Sequence, residues 1–95
     1  MPKYRLAPRA EKDLVDIWNY TASQWSENQA GSYYDDIMDA IERLADGSSK
    51  GRPVTVRTGY EKYAVGQHFV FFQKADIGIT VIRILHQRMD VERHL

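Results

Sequence analysis

Ile79-Thr80-Val81-Ile82-Arg83-Ile84-Leu85-His86 is the stretch on which the fold turns. It is mostly aliphatic and β-branched, follows Gly78, and is too short for a typical globular helix, so it reads as a largely buried strand. Arg83 is the exception. A guanidinium cannot lie unpaired in a core and must reach water, a carboxylate or a partner. Strict alternation puts Ile79, Val81, Arg83 and Leu85 on one face and Thr80, Ile82, Ile84 and His86 on the other. The second face is expected to meet helices, which leaves the first as an apolar surface carrying one cation.

Upstream of this strand, Ala75-Asp76-Ile77-Gly78 reads as a turn, and His68 to Lys74 as a strand apolar on both faces and therefore central. Gly66-Gln67 is a tight turn that leads back to a strand over Tyr60 to Val65. The three strands form an antiparallel meander, with Val54-Thr55-Val56-Arg57 as a short strand or extended lead-in. Gly47 to Pro53 is a loop by composition.

Two helices precede the loop. Pro8 suits a first helical position, and Ala10, Leu14, Ile17, Thr21 and Trp25 recur at helical spacing, with Trp18 and Ala22 widening the stripe. Arg9, Glu11, Lys12, Asp13, Asp16 and Asn19 take the wet side. Ser26 with Gln29 three residues on is a capping-box pattern that opens a second helix, and Gly47 closes it. Ala30, Tyr34, Ile37, Ile41 and Leu44 make its apolar stripe. Lys3 to Ala7 alternates as a short strand, and Asp90 can cap a last helical turn. The expected fold is α+β in the order β-α-α-β-β-β, an antiparallel helical hairpin on one face of a small antiparallel sheet. The other sheet face would stay bare, with Phe69 and Phe71, or Val70 and Phe72, beside Arg83.

With 95 residues, 43% hydrophobic and 27% charged, the chain is expected to form one globular domain over residues 1–95. It has no cysteine, so neither a disulfide framework nor thiolate chemistry is available. No apolar run approaches the roughly 20 residues of a membrane helix. The start Met1-Pro2-Lys3-Tyr4-Arg5 shows no apolar signal region, so the cytoplasm is the expected compartment. Thirteen basic residues balance thirteen acidic ones, unlike the strongly basic surface of a nucleic-acid binder.

Histidines 68, 86 and 94 are the only side chains that titrate near neutral pH. His86, at a strand end, would need a positioned partner to act as a base. No two histidines share metal-binding helical spacing, so no metal and no cofactor are expected. Asp35, Asp36, Asp39 and Glu42 read as a solvated helix face. No nucleophile has a base at recognisable spacing, and no catalytic residue is assigned. The pattern describes a small α+β binding domain.

Three segments then carry a resemblance. Leu6-Ala7-Pro8-Arg9-Ala10-Glu11-Lys12-Asp13-Leu14-Val15-Asp16-Ile17-Trp18, Tyr63-Ala64-Val65-Gly66-Gln67-His68-Phe69-Val70-Phe71-Phe72 and Arg83-Ile84-Leu85-His86-Gln87-Arg88-Met89-Asp90, followed by His94-Leu95, resemble ParE-type toxins of bacterial toxin–antitoxin pairs. The likeness spans nearly the whole chain. Ala7 departs from it, where a serine or threonine cap is common. The resemblance places the chain in the RelE/ParE superfamily and implies a plasmid-stabilisation type toxin that binds DNA gyrase and traps its cleaved DNA complex, without turnover by the toxin. It implies a ParD-type antitoxin whose C-terminal segment folds onto the toxin, giving a hetero-oligomer. Trp18, Trp25, Phe71 and Arg83 are the expected antitoxin contacts, and His86, Arg88 and Met89 the expected target contacts. RelE relatives instead cleave messenger RNA on the ribosome. The ending His86-Gln87-Arg88-Met89 lacks their dense cations and terminal tyrosine. An RNA-cleaving member, or a non-toxic one that only binds its antitoxin, are the alternatives.

Overall fold

The computed structural model describes residues 3–95. Met1 and Pro2, the first residues of the start read above as lacking a signal region, lie outside them. The elements are β1 (Tyr4–Leu6), α1 (Pro8–Gln24), α2 (Glu27–Asp46), β2 (Arg52–Pro53), β3 (Glu61–Val65), β4 (His68–Lys74), β5 (Ile79–His86) and α3 (Val91–His94). They form one five-stranded sheet in the order β1-β5-β4-β3-β2. The α+β class and the helical hairpin on the sheet are as expected. Val54 to Arg57 is not a strand: pairing ends at Pro53, which is followed by turns.

The sheet is mixed rather than wholly antiparallel. β2 to β5 pair antiparallel, while β1 joins β5 in parallel. This parallel pair is closed at one end by the Ile79 amide on the Lys3 carbonyl (2.9 Å) and at the other by the Ala7 amide on the Val81 carbonyl (2.9 Å). The chain between these two strands runs through the helical hairpin and then β2, β3 and β4, well beyond the roughly dozen residues that a parallel connection needs.

Helix ends follow the sequence closely. Ala7 supplies no side-chain cap, and Pro8 starts α1 in its place. The Ser26 hydroxyl accepts the Gln29 amide at 3.0 Å, and Gly47 closes α2 with a φ of 88°. The Asp90 carboxylate caps α3 by accepting the Glu92 amide.

The main core lies between hairpin and sheet. Ala10 of α1 and Ile37, Ile41 and Leu44 of α2 meet Val70, Phe72, Ile79, Val81 and Ile84. The membership of β5 corrects the strict alternation. Phe72 pairs with Val81 but Phe71 pairs with Arg83, so Ile82 has no partner and forms a β-bulge. A bulge adds one residue to one strand and resets which side chains face which way. Ile79 and Val81 therefore face the helices before it and Ile84 after it. Thr80 and Ile82 were expected there and are not part of that core.

The far face of the sheet is not bare. Phe71, Leu85 and Val54 form a second small core, flanked by Tyr60, Phe69, Val91 and Leu95. α3 and the segment after β2 fold back over it, and the Arg57 guanidinium holds the Leu95 carbonyl. Phe69 and Phe71 do point this way, but Phe71 is buried and Phe69 half-buried among the residues of these two segments. On α2, Tyr33 rather than Tyr34 packs against the core, and Tyr34 is exposed. Trp25 also leaves its expected stripe: it sits at the C-cap of α1 and is 70% exposed.

Candidate functional site

β1 pairs with β5 only as far as Val81, so the outer edge of β5 is open beyond that point. Asp13 of α1 fills the gap. Its carboxylate accepts the Ile84 amide (2.9 Å) and, in a two-pronged pair, Arg83 Nε (2.8 Å) and Nη2 (3.0 Å). Arg83 Nη1 also donates to the His94 carbonyl at 3.1 Å. Both side chains are 12% exposed. The hydrogen bonds to Asp13 hold the guanidinium pKa above its ordinary value, against a smaller opposing effect of burial. Arg83 is therefore not a free cation on a vacant face; it ties α1, β5 and α3 together. Asp13, expected on the wet side, is the residue that secures it. A lone helical acid reads as solvated until the position of its partner is known.

The vacant apolar surface lies on the hairpin instead. Leu6, Leu14, Val15, Trp18 and Tyr34, with Glu11 among them, line a groove of about 380 Å³. Of the expected antitoxin contacts, only Trp18 lies in it. Phe71 is 0% exposed and has no surface to offer a partner.

A second hollow, of about 590 Å³, opens at the other end of the hairpin, where α1 ends and α2 begins. It gathers Trp25, His86 and Arg88 together with Tyr20, Tyr33, His68 and Asp36. Met89 is exposed and is not among its lining residues. The register of β4 on β5 places His68 opposite His86, their rings edge to face with centroids 5.3 Å apart. Tyr33 closes the floor. Its hydroxyl lies 2.6 Å from His68 Nδ1, donates to the Val65 carbonyl (3.0 Å) and accepts the Gln67 amide (3.0 Å). Burial raises the Tyr33 pKa. His86 Nδ1 accepts the Arg88 amide at 3.1 Å. Strand spacing alone could not have shown that His68 and His86 meet, because that depends on the pairing register.

Burial, then the neighbouring His86, push the His68 pKa down to about 4, while Asp13 pulls weakly the other way. The unfolded ring titrates near 6.5. The unfolded chain therefore takes up a proton that the folded ring refuses, so stability is retained above pH 6.5 and falls between there and pH 4. Allowing for the half-exposed site, His68 contributes about 1–2 kcal/mol of that loss. Tyr33, Asp36, His86 and Arg88 are further titratable or charged groups that line the hollow beside His68. Urea denaturation of the parent and H68N at pH 7 and 4.5 measures the effect. The pH-dependent difference is expected to shrink in H68N, and an unchanged difference excludes it.

A helical hairpin on a sheet, with an apolar groove along the hairpin, defines a small α+β protein with an exposed apolar surface. One solved structure, described as the chromosomal ParDE toxin–antitoxin system of P. aeruginosa, shares this fold with a TM-score of 0.76. It is 18% identical and covers 87% of this chain and 92% of its own. A family model described as the ParE toxin of type II toxin–antitoxin systems, parDE, matches residues 4–91. Toxin ParE1 of Caulobacter vibrioides is 38% identical over 96 residues, covering 100% of this chain and 99% of the relative. Toxin ParE1 of Mycobacterium tuberculosis is 40% identical over 95 residues, with 98% and 97% covered. Toxin ParE of Escherichia coli is 31% identical over 97 residues, with 100% and 94% covered. The chain belongs to the ParE toxin family of type II toxin–antitoxin systems.

Proposed function

We propose that this toxin acts as one domain in the cytoplasm, inhibits DNA gyrase by binding and stabilising its cleaved DNA complex, and is neutralised by a ParD-type antitoxin. The observation that carries the antitoxin half is the open groove of Leu6, Leu14, Val15, Trp18 and Tyr34 on a chain of this family. An amphipathic helix laid in such a groove would bury its apolar face there and could place a cation against Glu11. The toxin acts by occupancy rather than turnover. Exposed Arg88 and Met89, with His86 behind them, form the surface offered to the target. Among the described residues no helix is long and apolar enough to cross a membrane.

Purified toxin tests the target half in a supercoiling assay with gyrase. Cleaved gyrase–DNA complexes are expected, together with relief on adding the antitoxin encoded beside it. Cleaved transcripts with gyrase untouched would overturn the proposal. For the antitoxin half, W18A is expected to weaken the complex by about 2 kcal/mol or more, as for a central aromatic anchor. Calorimetric titration reads this, and unchanged affinity in W18A would remove the groove from the interface.

A further inference from the structure

Two large aromatic side chains at the hairpin end remain uncovered: Tyr20 is 66% and Trp25 70% exposed. Both line the same hollow as Asp36, His86 and Arg88. We propose that this hollow binds a single nucleotide unit, with its base stacked on Trp25 and Tyr20 and its phosphate held by Arg88.

Each part of a nucleotide finds its complement here. Exposed aromatic rings stack any base, because every base has a π-face. The Arg88 guanidinium matches phosphate oxygens with paired donors. His86 Nδ1 already accepts the Arg88 amide, so the neutral ring carries its proton on Nε2 and can donate a further hydrogen bond. The Tyr33 hydroxyl, fixed by Val65, Gln67 and His68, keeps the floor in place. Asp36 would repel a bare anion, but it can accept hydrogen bonds from a base that presents N–H groups, guanine above all. A volume of about 590 Å³ suits a small molecule of this size. With net charge zero and one guanidinium in the hollow, one phosphate fits better than a long backbone tract. The unit could be a free nucleotide or the end of a single strand. Neither requires gyrase to be the target, and the assay below contains no gyrase, so the two proposals stand or fall separately.

Isothermal titration of the whole chain with GMP, CMP, inorganic phosphate and a short single-stranded oligodeoxynucleotide tests this, with Trp25 fluorescence as a second readout. Saturable GMP binding is expected, tighter than CMP and not displaced by phosphate. W25A should weaken it at least about fivefold. R88A should weaken it as well, and I77S, on the turn at the far end of the strands, should leave it unchanged. Trp25 and Arg88 are both exposed, so these variants fold. Competition by the oligonucleotide identifies a strand end as the ligand, and its absence a free nucleotide. The proposal is overturned by no saturable heat with GMP or the oligonucleotide at millimolar concentration. Equal affinity in W25A and R88A, or phosphate competing as well as GMP, would overturn it too.

Discussion

Asp13→Ala is expected to destabilise the protein by about 3–5 kcal/mol, because it strands the Arg83 guanidinium in a largely closed site. The Ile84 amide loses its acceptor in the same step. For a chain of this size the melting temperature should fall by more than about 10 °C. The expected size rests on the orphaned cation rather than on the worth of the pair, and a second variant separates the two. D13A/R83M removes both charges, and an apolar replacement for a paired ion is often neutral. The double variant should recover most of the lost stability in urea denaturation. Asp13→Asn, which keeps one acceptor for Ile84, should fall between. A D13A loss below about 1 kcal/mol would show that the clamp does not tie α1 to β5. Antitoxin binding measured on folded D13A/R83M should be close to that of the parent, because Arg83 serves the fold and Trp18 the groove.

Gly78→Ala should be comparably damaging, for a steric reason. Gly78 has a φ of 76°, which L side chains rarely adopt, and a Cβ placed there would lie 1.5 Å from the Lys3 carbonyl oxygen. Neither backbone can yield without breaking the bond from the Ile79 amide to Lys3 that closes the parallel pair. The cost is on the order of 4 kcal/mol, strain and clash together. The expected signature is local: β1 detaches, and the Ile79 amide loses its protection in hydrogen exchange. Since Leu6 of β1 lines the groove, G78A should lose antitoxin binding as well. Gly31→Ala is the control. It lies inside α2 with nothing within 4 Å of its added Cβ, and should stabilise by about 0.5–1 kcal/mol. A G78A protein as stable as the parent would contradict the close approach of β1 to the turn before β5.

Most element boundaries were legible in the chain because they rest on local physics. Ser26 and Gly47 bound α2, Gly66-Gln67 sets the β3–β4 turn, and the aliphatic run from Ile79 ends at His86. The family was legible too, in three segments in the right order. The candidate site was read less well. Trp18 lies on the open groove, but Phe71 and Arg83 serve the interior and Trp25 belongs to the other hollow. The choice between neighbours also failed once, since period counting could not say that Tyr33 rather than Tyr34 turns inward.

The sequence by itself determined the two helices, the meander and the family, since caps, turns and periodicity act over a few residues. Only the tertiary structure decided that Ile82 bulges, that Asp13 reaches Arg83 across 70 positions and that His68 faces His86. These depend on strand register and on where an edge is left unpaired. Both are fixed by packing the whole chain at once, and no local stretch encodes them.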